Sequence, residues 1–164
     1  MRTLLSLTVK KRVSDMEKVK IWIEAGSFPP IREHATDAGL DLRVKDSVYV
    51  KPGRQLIHTG VHVALPANCV ADVRPRSGFS SKGFNDGFGI RHDADVLYGT
   101  VDPGYTGEVC VIVKSCEKYP FLLKAGTAIA QLVIIHGVAN DGDIQLVSCC
   151  PDEDTDRGDK GFCG

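Results

Sequence analysis

The 164-residue chain carries 20 Lys+Arg against 21 Asp+Glu, and a formal net charge of −1 argues against a dedicated binder of nucleic acid or anionic membranes, so any anion site must be local. A hydrophobic fraction of 43 % with 25 % charged residues exclude a disordered chain and suit one domain with a real core. With 17 Gly and 8 Pro, many tight turns between short elements are expected, which favours β structure.

Met1 to Val13 is basic with some Leu but lacks the continuous apolar stretch and small-residue cleavage site of a secretory signal. Residues 1–15 are therefore read as an N-terminal extension. A second Met at 16 opens an alternating segment with Val19, Ile21 and Ile23, where a domain spanning 16–148 is expected to begin. Further strands are predicted at Val48 to Val50, Gly60 to Leu65, Cys69 to Val73, Val109 to Val113 and Ala128 to Ile135, all short β-branched or alternating runs. Turn chemistry separates them at Lys51-Pro52-Gly53, Pro66-Ala67-Asn68, Pro103-Gly104, Lys124-Ala125-Gly126 and Asn140-Asp141-Gly142. Such spacing points to a sandwich, jelly roll or barrel.

Ser80 to Asp95 is too irregular for one strand and reads as a loop or short helix with an excursion. After Val147 the pattern stops, and residues 149–164 read as an acidic linker followed by a mobile Gly-rich arm. No run approaches the roughly 18 apolar residues of a spanning helix, so no membrane partner is expected. The six cysteines show no C-x-x-C pair or zinc spacing and are read as reduced, mostly buried thiols. With no N-x-[ST] sequon, this suggests a cytoplasmic or otherwise intracellular protein. His58 and His62, four apart on one strand face, approximate a metal pair but read as an ordinary strand face.

No phosphate loop, dinucleotide fingerprint, zincin motif or nucleophile elbow is present. Several turns instead pin a polar residue with Gly or Pro. Ala38-Gly39-Leu40-Asp41-Leu42 sets one carboxylate among apolar neighbours, either a site acid or a turn acid at a strand start. Pro75-Arg76-Ser77-Gly78 joins a guanidinium, a hydroxyl and backbone N–H groups suited to a phosphate oxygen, or forms a plain strand-end turn. Gly99 to Glu108 reads as a hairpin with Asp102 and Tyr105 close at its bend, where an acid can activate water and a ring can pack on a sugar or base. Gly126 to Leu132 places Gln131 inside an apolar strand, where it needs a partner if buried.

Together with Arg157 to Gly164, these segments in this order resemble the five motifs of the trimeric dUTPase family, with PRSGFSSKG and GTVDPGYTGE the most specific matches. The resemblance implies an all-β, distorted jelly-roll or β-clip subunit with a mobile C-terminal arm, assembled as a homotrimer with shared active sites. It implies hydrolysis of dUTP to dUMP and pyrophosphate. Asp102 would deprotonate the water that attacks the α-phosphorus, with Asp41 supporting the catalytic region. Tyr105 would pack under the deoxyribose while the hairpin backbone reads the uracil edge. Arg76, Ser77, Gly78 and Gln131 would contact phosphates. From the arm, Arg157 would reach the γ-phosphate and Phe162 would stack on uracil. Mg²⁺ is expected on substrate phosphates and water, with no protein ligand.

Two departures stand out. The arm reads Gly161-Phe162-Cys163-Gly164 without the family's following Ser-Thr pair, which suggests weaker closure, and an insertion is expected near Asn85 to Asp93. The alternatives are a dUTPase-like nucleotide-binding regulator with weak catalysis and a dCTP deaminase relative.

Overall fold

The computed structural model describes residues 18–86 and 88–137. Among the described residues, thirteen strands and one short helix follow in chain order. They are β1 (Lys20–Ile23), β2 (Gly39–Arg43), β3 (Val48–Val50), β4 (Gly53–Ile57), β5 (Val61–Ala64), β6 (Cys69–Pro75), α1 (Ser77–Lys82), β7 (Phe84–Asn85), β8 (Arg91–His92), β9 (Ala94–Leu97), β10 (Gly99–Val101), β11 (Val111–Ser115), β12 (Phe121–Leu123) and β13 (Ala128–His136).

The period of two decides most of these elements. In β11, Val111, Val113 and Ser115 are buried while Ile112 and Lys114 face outward, as a half-buried strand requires. All pairing is antiparallel. The largest sheet has the order β10-β6-β13-β2, and a second runs β4-β11-β9. Two-stranded ribbons β1-β5, β12-β3 and β7-β8 complete a jelly-roll-like β fold. Leu42, Val73, Ala130 and Leu132 from the first sheet join Ile57, Val96, Val111 and Val113 from the second in one apolar core. Burial of these branched side chains supplies the main favourable term in folding.

The turns fall where Gly and Pro predict them. Gly126 takes φ 81° between Lys124 and Thr127, whose N–H donates to the Lys124 carbonyl at 3.1 Å. Asn140 to Gly142 lies outside the described residues.

Four expectations need correction. The segment from Gly99 to Glu108 is not a self-paired hairpin: β10 pairs with β6, and the chain then crosses to β11 in the other sheet. His58 and His62 do not share one strand, because Thr59 and Gly60 break it and Gly60 takes φ 66°. Of the three described cysteines, all free thiols, only Cys69 is buried, while Cys110 is half-buried and Cys116 exposed. The alternation of β1 reaches the core only at its end, since Lys20 to Trp22 are exposed on a two-stranded ribbon while Ile23 packs against the core. Ser80 to Asp95 does contain a short helix end, followed by the β7-β8 ribbon, whose Phe84 is fully buried.

Candidate active site

At one end of the large sheet, strand register aligns three motifs. Asp41 of β2 lies opposite Gln131 of β13, which lies opposite Arg74 of β6. The chain leaves β6 at Arg76, which caps α1 in an extended conformation (φ −80°, ψ 141°). Its Nε donates towards Asp41 Oδ1 at 3.1 Å, and its Nη1 lies 3.4 Å from the Ala128 carbonyl. Gln131 Nε2 donates to the Pro75 carbonyl at 3.0 Å, which supplies the partner its half-buried amide requires. Gly39 makes this approach possible: a Cβ there would stand 2.8 Å from Gln131 Cβ. Ser77 and Gly78 line a cavity with Arg76, Lys82 and Arg91, three cations and no carboxylate. Such a rim suits a strongly anionic ligand.

The other candidate residues sit on the turn after β10. Asp102 is exposed, and its carbonyl accepts from Tyr105 N–H at 3.2 Å to close the turn. Tyr105 Oη donates to the Glu108 carbonyl at 2.9 Å, laying the ring over Gly107, where a Cβ would meet Tyr105 Cζ at 2.6 Å. Asp102, Tyr105, Val73, Leu97 and Ile112 border a largely apolar cavity of about 330 Å³.

Below this turn, β10 is pinned by a carboxylate the sequence reading passed over. Asp72 is 2 % exposed, accepts from Thr100 Oγ1 at 3.0 Å, and pairs with Arg74 Nη2 at 2.8 Å. Burial pushes the Asp72 carboxyl up, but hydrogen bonds from Tyr98, Arg74 and Thr100 outweigh it and hold the group below its usual range.

Asp41, Arg76, Ser77, Gly78 and Gln131 are thus gathered, and so are Asp102 and Tyr105, but the two groups are apart. Val101 lies opposite Ala71, so Asp102 begins about 16 Å or more from Arg76 measured along β6. Arg157 and Phe162 lie outside the described residues. Lys82 and Arg91 were also missed. Lys82 stands within the same PRSGFSSKG run, and this was the available signal, whereas Arg91 reaches the cavity only through the β7-β8 ribbon.

A family model described as dUTPase matches residues 28–164. The deoxyuridine 5'-triphosphate nucleotidohydrolase of Clostridium kluyveri is 38 % identical over 152 residues, covering 90 % of this chain and 96 % of the relative. That of Gloeothece citriformis is 34 % identical over 157 residues, covering 94 % of each. Among solved structures, the Staphylococcus bacteriophage 80alpha dUTPase with dUpNHpp aligns with a TM-score of 0.70 at 24 % identity, covering 90 % of this chain and 97 % of that one. A dUTPase from phage phi11 of S. aureus, described with a structural Mg(II) ion, gives 0.67 at 22 % identity over 80 % and 97 % of the two chains. Both likenesses are of fold.

Proposed function

The chain belongs to the dUTPase family, and from that premise we propose how its own residues divide the hydrolysis of dUTP to dUMP and pyrophosphate. The observation that carries the assignment is Asp102, an exposed carboxylate on a turn that also presents Tyr105 to an apolar cavity. The cavity accepts the uracil and deoxyribose, with the Tyr105 ring against the sugar face where a 2′-hydroxyl would clash. Asp102 takes a proton from water, the water oxygen bonds to the α-phosphorus, and the bond to the α,β-bridging oxygen breaks to release pyrophosphate. Arg76, Ser77, Gly78 and Gln131 hold phosphate oxygens, with Lys82 and Arg91 adding charge at the rim.

The separation of the two groups supports a homotrimer in which one subunit's Asp102 turn faces another's Arg76 end, so that an isolated subunit is inactive. The arm contributes Arg157 at the γ-phosphate and Phe162 over the base, following the order of the family motifs. The proposed domain runs from 16 to 148 between the extension 1–15 and the arm 149–164.

Mg²⁺ fits this donor set only in one way. Asp102 shares its turn with one other carboxylate, Glu108, whose oxygens are taken by Thr59 N–H, Gly60 N–H and His58, and the one convergent trio of ligating side chains among the described residues includes a thiol and an imidazole, which suit Mg²⁺ poorly. The ion would therefore ride on phosphate oxygens and water. When bound it neutralises charge on the triphosphate. Among the described residues no helix is long and apolar enough to cross a membrane. The free thiols support an intracellular setting.

Pyrophosphate release from dUTP, dCTP, dTTP and UTP, with and without Mg²⁺, tests the reading. Turnover confined to dUTP and dependent on Mg²⁺ is expected. Ammonia release from dCTP, or equal turnover of UTP, would overturn it.

A further inference from the structure

Glu108 ends the Asp102 turn, and its side chain is held far more firmly than a turn needs. Its Oε1 accepts from Thr59 N–H at 2.9 Å and Gly60 N–H at 2.7 Å. That leaves Oε2 directed at His58 Nδ1, 2.7 Å away. Cys110 Sγ lies 3.7 Å from the same His58 nitrogen, and one ligating atom from each of the three residues falls within 4.8 Å of the others. The segments that carry them are locked together: Thr59 Oγ1 donates to the Val109 carbonyl at 2.6 Å, and Val109 N–H donates to the Val61 carbonyl at 2.7 Å.

We propose that His58, Glu108 and Cys110 form a mononuclear site for a transition-metal dication of the zinc class, completed by water, which ties the end of the Asp102 turn to the connection at residues 58–60. This goes beyond dUTP hydrolysis, and although Glu108 and Cys110 also border the cavity assigned to uracil and deoxyribose, it is tested by metal binding alone.

The geometry suits a tetrahedral ion. Bonds of about 2.3 Å to sulfur and about 2.05 Å to nitrogen and oxygen require edges of about 3.6 Å for S···N and about 3.4 Å for N···O. The observed 3.7 Å already satisfies the first. The 2.7 Å hydrogen bond must open by about 0.7 Å. That movement falls to His58, whose side chain is 68 % exposed, and not to the anchored Glu108 at 19 %. The two N–H groups on Oε1 provide the outer hydrogen bonds that orient a ligating carboxylate. A cavity of about 280 Å³ bordered by His58, Glu108, Glu24 and Lys45 leaves room for the water ligand. Thiolate with imidazole and carboxylate selects Zn²⁺ or Co²⁺ over Mg²⁺. On binding, the Cys110 thiol gives its proton to solvent, and His58 ligates as the neutral ring.

The test uses the full chain, stripped with a chelator and titrated with Co²⁺. One equivalent per chain should bind with visible bands of a four-coordinate ion and a near-ultraviolet thiolate charge-transfer band, displaced by Zn²⁺ but not by excess Mg²⁺. Cys110→Ser should abolish the charge-transfer band, and His58→Ala should weaken binding by about 100-fold or more. Cys149→Ser and Cys150→Ser should leave both unchanged. Absence of the band in the wild type, or its persistence in Cys110→Ser, would overturn the proposal. Peptide mapping of alkylated wild-type protein gives a second readout without any variant. Zn²⁺ should protect Cys110, and unprotected Cys110 in Zn²⁺ would refute the site.

Discussion

The contact between Asp41 and Arg76 offers the sharpest test of how the phosphate end is built. Asp41 Oδ1 sits 3.1 Å from Arg76 Nε, with the two side chains 13 % and 32 % exposed. Hydrogen bonds to charged groups contribute about 1.5–3 kcal/mol, and the partial exposure of Arg76 places this one at the lower end, about a tenfold effect. Asp41→Asn keeps the side-chain volume and leaves the backbone bond from Asp41 N–H to the Ile31 carbonyl, 2.7 Å, in place. The guanidinium then loses its shortest contact but not its charge, keeping Glu33 Oε2 at 3.5 Å and the Ala128 carbonyl at 3.4 Å. Asp41→Asn should raise KM for dUTP by about tenfold with a smaller change in kcat, whereas Arg76→Ala should lower kcat/KM by about 100-fold. If Asp41 acts through Arg76, the double variant should match Arg76→Ala alone. Steady-state kinetics on the four proteins close the cycle. A double variant reduced by the product of the two single effects, about 1000-fold, would refute the positioning role.

Asp102→Asn should lower kcat by about 10²–10⁴-fold while leaving dUTP affinity, read by calorimetry, largely intact; wild-type kcat would remove the water-activation role. Gly107→Ala puts a methyl into the Tyr105 ring, so it should relax discrimination between dUTP and UTP in the same direction as Tyr105→Ala. Unchanged selectivity in both would exclude sugar packing by that ring. Truncation before Arg157 should cost most of the activity without changing the number of subunits measured by light scattering, and a fully active truncated protein would exclude the arm. Asp72 has a native pKa below its ordinary 3.8, so its stabilising contribution is present above about pH 3.8 and is lost as pH falls through the lower native value. The stability gap between wild type and Asp72→Asn, from urea midpoints, should therefore shrink on acidification below pH 3.8, and a gap that grew would contradict the assignment.

What the sequence made legible was local. Val48 to Val50 and Cys69 to Val73 read as strands because alternation and β-branching are properties of adjacent residues, and Lys124-Ala125-Gly126 reads as a turn because φ at one glycine decides it. The motif around Asp102 was legible too, because its acid, ring and glycines fall within ten positions. Partnerships across the fold were not. Nothing near Asp72 announces Thr100, and spacing matches His58 with His62 whereas its contacts, Glu108 and Cys110, come fifty or more residues later. Alternation tells which face a side chain takes, never which strand lies beside it.

The placement of Asp102 and Arg76 shows how much that distinction matters. Motifs that follow one another along the chain suggest one pocket, and Arg76 and Asp102 are only 26 positions apart. Antiparallel pairing reverses the inference. Since Gly99 lies opposite Val73 and Val101 opposite Ala71, every step along β10 towards Asp102 is a step down β6 away from Arg76. A longer β10 would only increase the separation, and no rotamer of Arg76, already held by Asp41, recovers it. The proposed roles of Asp102 as the water-activating carboxylate and Arg76 as the phosphate-holding guanidinium therefore require residues from different copies of the chain. Strand register thus supports the proposed oligomer before any interface is considered.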